Sequence, residues 1–360
     1  MRLLFALPGF HRYDRGAEIA LLAVAQELAL AGDEVTVMGS GPPRPGTAYK
    51  FRRVGSIRRE RFERFPMVPP LRSETAWEDA SFAAALLAAY RPADYDAVVT
   101  CSFPFTHWAL RRPAAGPRPR QIFVTQNGDW PAVSDRSEFR SFRCDGLICT
   151  NPDFADRNAA RWNTALVANG IVPGAFAPAP ADRARFGLPL DRPVVLMVSA
   201  LIESKRVVEG IEAVGRLLDV HLVIAGDGPL RDTVRQRAAI HLPGRFTNLT
   251  VGAHDMAQLY NCADVFLHMS LLESFGNVFV EAMASGLPVV GHDTPRLRWI
   301  VGENHPLCAT DDPAALQAAL ERALALGKGH ADPRVVEFHW PKIAAQYREF
   351  IAGLVQGAAR

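Results

Sequence analysis

Between residues 194 and 268 the chain alternates short apolar runs with stretches of helical periodicity, an order that few folds accept. The spacing predicts strand 194–199, helix 206–218, strand 221–225, helix 229–239, strand 247–251, helix 255–262 and strand 264–268. Repeats of this kind close as crossovers onto a parallel sheet with helices on both faces. The first half follows the same rule. Residues 2–8 form an apolar run, Ile19, Leu22, Ala23, Leu28 and Leu30 recur at helical spacing, and a strand runs Glu34 to Met38. Further strands are expected over Ala97 to Cys101, Gln121 to Thr125 and 145–150, with helices near Pro104 to Arg111 and over 152–163, and a Pro-rich loop at 113–119. A chain of 360 residues exceeds what one core usually serves. The expected class is α/β, with two Rossmann-like doubly wound domains and a Pro- and Ala-rich linker within Pro173 to Pro193.

Composition narrows the function. A net charge of +2 gives no support to nucleic-acid binding, which asks for a strongly basic stripe. The five cysteines are widely spaced with no Cys-x-x-Cys pair, which reads as free thiols in a reducing cytoplasm and no zinc site. The opening apolar run is cut by Pro8 and followed by His11, Arg12 and Arg15, so it reads as a buried strand rather than a leader. No stretch reaches the ~20 apolar residues of a membrane-spanning helix.

The chemistry concentrates in residues 270–291, where Glu273 stands eight residues before Glu281. Phe275, Val278, Phe279, Ala282 and Met283 have helical spacing, Gly286 and Pro288 stop the helix, and Val289 and Val290 begin a strand. A helix entered through Gly276 offers unpaired backbone N–H groups to a phosphate. Glu281, set among apolar residues, needs a donor pair such as a ribose diol, and Glu273 on the entry loop can hold sugar hydroxyls. The competing reading is an amphipathic helix with Glu281 on its solvated face.

The string Glu-Ser-Phe-Gly-(x)4-Glu-Ala-Met-Ala-x-Gly-Leu-Pro-Val-Val resembles the signature of retaining nucleotide-sugar glycosyltransferases of the GT-B fold, family 4. The resemblance implies two Rossmann-like domains facing a cleft: 1–175 on the acceptor side, 176–337 on the donor side, and a helix at 338–360 that returns to the first domain. It gives Glu281 the nucleotide ribose, Glu273 the donor sugar, and the backbone of Phe275, Gly276, Asn277 and Val278 the sugar and phosphate. Gly16-Ala17-Glu18 is similar to the family's Gly-Gly-x-Glu loop near the donor phosphate, with Arg15 in place of the first glycine. Asn127 stands where the family often has a histidine, and an amide cannot carry a proton near neutral pH. The phosphate-gripping pair of arginine and lysine becomes Ala200 and Lys205, leaving Arg206 or a first-domain arginine as substitutes. The Gly226-Asp227-Gly228-Pro229 turn is expected near the nucleotide, and Gly252 and His254 beside its base. The implied activity is transfer of a sugar from a UDP- or GDP-sugar to an acceptor hydroxyl in glycan, glycolipid or secondary-metabolite biosynthesis, with Glu273, Lys205 and Asn127 as catalytic residues. No cofactor or metal is expected, since no Asp-x-Asp pair stands at a strand end. Two alternatives remain at this stage: a nucleotide-sugar-binding protein with little transferase activity, and a dinucleotide oxidoreductase, for which the third glycine of Gly-x-Gly-x-x-Gly is missing.

One charge asymmetry stands apart. Residues 51–72 hold Arg52, Arg53, Arg58, Arg59, Arg61, Arg64 and Arg72, interleaved with Phe51, Phe62 and Phe65. The segment reads as a weak peripheral contact with an anionic membrane, as a contact with an anionic acceptor, or as a solvated loop and helix. Residues 292–305, with Arg296 and Arg298, read as a loop, and Asp-Asp-Pro opens a helix at 312–326.

Overall fold

A computed structural model describes residues 1–112, 116–134, 139–271 and 273–357. Residues 113–115 of the expected Pro-rich loop, Leu272 of the glutamate segment and the last three residues of the terminal helix expectation lie outside it. The chain divides into Met1–Gly170 with Trp340–Arg360, and Ile171–His339. The first break therefore falls five residues earlier than the expected 175/176. From Ile171 onward the backbone is tied to the second unit: the Ile171 N–H donates to the Phe338 carbonyl at 2.7 Å, and Asn261 bonds the backbone of Ala177 and Ala179.

The first unit contains β1 (Arg2–Ala6), α1 (Gly16–Leu30), β2 (Glu34–Gly39), β3 (Lys50–Arg53), α2 (Glu74–Ala89), β4 (Ala97–Thr100), α3 (Phe105–Leu110), β5 (Arg120–Val124), α4 (Trp130–Val133), β6 (Gly146–Cys149), α5 (Pro152–Asn158) and β7 (Thr164–Leu166). Its sheet runs β3-β2-β1-β4-β5-β6-β7, with every neighbouring pair parallel. Central strands covered on both faces must be apolar throughout, and Leu3 to Ala6 and Ala97 to Val99 are fully buried. The strand order reverses between β1 and β4, which opens a crevice at the carboxyl ends of those strands.

Beside α4 and β7, which were not expected, three elements of this unit depart from expectation. β3 is a largely charged, exposed edge strand whose register is borrowed from β2. α2 begins where the Ser73 hydroxyl accepts the Ala76 N–H at 3.2 Å, and it buries Phe82, Ala83 and Leu86. α5 stops at Asn158 rather than 163, because that side chain turns back to donate to the Phe154 carbonyl and the Asp129 carboxylate, both at 2.8 Å.

The second unit contains β8 (Val194–Val198), α6 (Val207–Gly215), β9 (His221–Ala225), α7 (Arg231–His241), β10 (Phe246–Leu249), α8 (Ala253–Asn261), β11 (Val265–His268), α9 (Asn277–Ala284), β12 (Val289–Gly291), α10 (Pro295–Val301) and α11 (Pro313–Leu326). The parallel sheet order is β10-β9-β8-β11-β12, so the reversal lies between β8 and β11. The loop expected at 292–305 contains helix α10. Its cap is the Thr294 hydroxyl, which accepts the Leu297 N–H at 3.2 Å, with Pro295 in the first turn.

The last helix, α12 (Trp340–Gln356), belongs to the first unit. Arg348 pairs with buried Asp33 at 2.9 Å, and Arg120 donates to the Leu354 carbonyl at 3.1 Å. The helix lies so close to β6 that a Cβ on Gly146 would meet Leu354 at 2.5 Å and Phe350 at 2.7 Å.

Candidate active site

The loops after β8 and β11 flank the strand reversal of the second unit, and each delivers one charged group. Lys205 closes a 3-10 turn over Glu203–Lys205, and its ammonium is ion-paired with Oε1 of Glu273 from the other loop. His268, the buried last residue of β11, places Nε2 3.0 Å from the same oxygen. Burial opposes ionisation of Glu273, but the His268 and Lys205 contacts outweigh it and hold the carboxyl down at about 2. Arg296, from α10, fixes the loop backbone by donating to the Glu273 carbonyl at 2.7 Å and the Leu271 carbonyl at 3.0 Å.

Gly276 then turns the chain into α9. Its φ of +94° is the left-handed conformation, and a Cβ there would meet the Phe279 ring at 2.6 Å. Phe275 anchors the turn in the core, edge-on to Trp299 and tilted against Phe338. Asn277 and Val278 supply the first turn of α9, whose leading N–H groups and dipole favour an anion. Glu281, one turn further, does not lie on a solvated face. Its carboxylate accepts the hydroxyl of fully buried Tyr260 at 2.8 Å, and burial pushes its pKa up against that hydrogen bond.

The two glycines after β9 have a packing role. A Cβ on Gly226 would lie 1.9 Å from the Ser199 carbonyl oxygen, and one on Gly228 2.5 Å from that of Leu201. The β9 loop thus rests directly on the 199–201 backbone, which the Leu201 N–H to Asp227 carbonyl bond of 3.0 Å also ties. Ala200 is exposed at the tip of that backbone. Arg206, a candidate substitute for the missing arginine, is engaged elsewhere in the structure. Its guanidinium donates to Oγ1 of Thr310 at 3.0 Å and to that residue's carbonyl at 3.3 Å, and it pairs with Glu209 at 3.2 Å. Gly252 caps α8, and His254 in its first turn is exposed, 3.1 Å from the Asp255 carboxylate.

Asn127 and Gly16 lie in the first unit. Asn127 follows β5, and its amide faces Cys101 Sγ at 3.9 Å. The neighbouring Gln126 exchanges two hydrogen bonds with Asn169, at 2.6 and 3.0 Å. Gly16 starts α1 with open space where a Cβ would go. Two residues on, Glu18 is buried against Gly9, and burial pushes its carboxyl pKa up.

The structure therefore joins Lys205 to Glu273, and groups Glu281 with Phe275, Gly276, Asn277 and Val278 on one helix entrance. His268 and Tyr260 were not singled out from sequence, and Arg296 was noted only as part of the 292–305 loop. A histidine ending a parallel strand, where such sheets carry ligands, was the available signal for the first of these.

Comparison with known proteins places the chain in a family. The family model for Glycosyl transferases group 1 matches residues 179–334, and that for Glycosyltransferase Family 4 matches residues 15–174. The lipopolysaccharide core biosynthesis glycosyltransferase LpsE of Rhizobium meliloti is 30% identical over 223 residues, 61% of this chain and 64% of that protein. A GDP-mannose-dependent alpha-(1-6)-phosphatidylinositol dimannoside mannosyltransferase of Mycobacterium tuberculosis is 35% identical over 132 residues, 36% of this chain and 34% of its own. The chain thus spans under two thirds of the length of either relative. Among solved structures, Anabaena Alr3699/HepE in complex with UDP-glucose superimposes with a TM-score of 0.66 at 17% identity, over all of this chain and 98% of that one. That likeness concerns the fold. The two family models between them cover residues 15–174 and 179–334, and by them the chain belongs to the group 1 glycosyl transferases of family 4, on the GT-B fold.

Proposed function

We propose that the protein is a retaining transferase that moves a sugar from a nucleotide diphosphate sugar to an acceptor hydroxyl. The observation that carries this reading is the ionised Glu273 held between Lys205 and His268 at the strand reversal, one loop away from the α9 entrance. On this reading the donor diphosphate takes Lys205 as its counter-charge, together with the first N–H groups of α9. Glu273, still oriented by His268, accepts from hydroxyls of the transferring sugar. Glu281, with one oxygen occupied by Tyr260, accepts from the ribose diol with the other.

The acceptor oxygen bonds to the anomeric carbon on the face that the diphosphate leaves, and a departing phosphate oxygen takes the acceptor proton. The chain's contribution is positioning and charge, with Lys205 and the helix entrance carrying the load that a metal carries elsewhere. Asn127 orients the acceptor or sugar through its amide and takes no proton. Gly16 gives the phosphates close backbone approach, the Gly226 and Gly228 turn lies beside the nucleotide, and Gly252 and His254 lie near its base. Both UDP and GDP are candidate nucleotides, as the relatives' names include a GDP-mannose enzyme and a complex with UDP-glucose. Five cysteines without a disulfide support a reducing compartment such as the cytoplasm. Among the described residues no helix is long and apolar enough to cross a membrane.

The test pairs product assays over UDP- and GDP-sugars with calorimetry on two isosteric variants. Glu281→Gln loses a charge-assisted acceptor worth roughly 1.5–3 kcal/mol, so nucleoside diphosphate and nucleotide sugar both bind more weakly, by about 10- to 150-fold. Glu273→Gln spares the nucleoside diphosphate and lowers turnover instead. Binding that follows this pattern without product from any donor would leave a nucleotide-sugar-binding protein. Two variants that behave like the parent would remove the assignment altogether.

A further inference from the structure

The β1–α1 loop of the first unit carries a second charged cluster that the donor reading does not use. Its centre is the Tyr13 ring. The Arg15 guanidinium lies 4.2 Å from the ring centroid and that of Arg59 4.7 Å from it, the first from the loop and the second from the basic segment. Beneath them is buried Glu78 on α2, which accepts from Arg12 at 3.1 Å, from Arg59 at 2.8 Å and from the Tyr13 hydroxyl at 3.3 Å.

The charges do not balance. Arg12 is consumed, since it also donates to the Ser56 hydroxyl at 2.7 Å and reaches the Ser40 carbonyl at 3.4 Å. Glu78 is shared between two arginines. Arg15 is exposed with no carboxylate in ion-pair range among the described residues, and the Nε–H of Arg59 is buried with no acceptor there. A buried guanidinium N–H without an acceptor is costly unless a bound oxyanion completes it. Burial pushes the nearby Glu18 carboxyl up rather than down, which weakens it as a counter-charge for Arg15. The cluster also sits on the loop leaving β1, at the strand reversal where α/β sheets place ligands.

We infer that Arg15 and Arg59, stacked on Tyr13, bind the phosphate or carboxylate of a small anionic acceptor. This rests on the transferase reading for the word acceptor, but the anion site itself does not depend on turnover. Arg15 stands where the resemblance places a glycine, so the cation that would read such an acceptor is a feature of this chain.

Calorimetry on the full-length protein, with the donor site saturated by UDP or GDP, tests it with three probes: glucose 6-phosphate, glucuronate and glucose. One or both anionic sugars are expected to bind, and glucose to bind at least tenfold more weakly. Binding of glucose 6-phosphate alone assigns a phosphate and of glucuronate alone a carboxylate. Arg15→Ala, at an exposed position, and Arg59→Lys, which keeps the charge but loses the planar donor, should each weaken the anion by about tenfold and leave nucleotide affinity unchanged. Equal binding of glucose, unaltered anion affinity in both variants, or an equal loss of nucleotide affinity would overturn the inference. Product assays run alongside keep the two readings apart: a protein that binds the anion as expected but forms no product from any donor refutes the transferase reading alone, whereas product formation together with anion affinity unaltered in both variants refutes this inference alone.

Discussion

Glu273 and Glu281 are separated by eight residues and held in opposite ways, one drawn toward ionisation by two cationic or donor partners and one pushed toward protonation by burial. The first has a consequence for acid stability. Its folded carboxyl titrates at about 2, below its ordinary 4.5, so its stabilisation is complete above about 4.5 and is lost as pH falls toward about 2. Glu273→Gln should therefore be less stable than the parent at pH 7, by on the order of 2–3 kcal/mol, and the difference in urea midpoint should shrink steadily between pH 4.5 and pH 3. A difference independent of pH would mean that the His268 and Lys205 contacts do not hold the carboxylate. The spacing of the two glutamates and the helix entrance at Gly276 could be read from sequence because they are local. Their partners could not, since His268 ends a strand, Tyr260 sits 21 residues upstream of Glu281, and only the sheet order brings Lys205, 68 residues away, to Glu273.

Elements with a continuous apolar run or clear helical periodicity, such as β9 and α11, were legible nearly to the residue. β3 was not, because an edge strand of Lys50–Arg53 has no buried face to impose a pattern. α2 and α10 carried readable caps in Ser73 and in Thr294 with Pro295, but the surrounding charges obscured them. The basic segment divides in a way that composition alone could not give. Phe62 turns inward to stack on Trp77, and Arg59 turns to Glu78, while Arg58, Arg61 and Arg64 face solvent beside exposed Ile57, Phe65, Met67 and Val68. An outward face that mixes cations with large apolar side chains suits an anionic bilayer, at roughly 1 kcal/mol per arginine. We propose such a contact as weak and peripheral. Replacing Arg58, Arg61 and Arg64 by serine should lower binding to phosphatidylserine vesicles by more than tenfold in sedimentation assays and leave nucleotide binding intact. Parent protein that stays in the supernatant at low salt would rule the contact out.

The chain passes between its two units twice, at 170/171 and at 339/340, so the second unit is one uninterrupted stretch and the first is not. A fragment comprising 171–339 contains a complete sheet and every assigned donor-binding residue but Gly16, and it should fold and bind nucleoside diphosphate within about tenfold of the full chain. A fragment ending at 170 should remain unfolded or bind dye as a loosely packed state until a peptide spanning 340–356 is added, with circular dichroism as the readout. A stable, cooperatively melting 1–170 fragment would show that α12 is an accessory. The close approach of α12 to Gly146 carries a further consequence for the timing of synthesis. The strand that this glycine belongs to is synthesised before any of the second unit, yet the helix that covers it is translated last. At 5–20 residues per second the interval is about 10–40 s, during which the part of the sheet over β5 and β6 lacks the helix that covers it, and the nascent chain offers a chaperone an apolar surface that the finished molecule conceals.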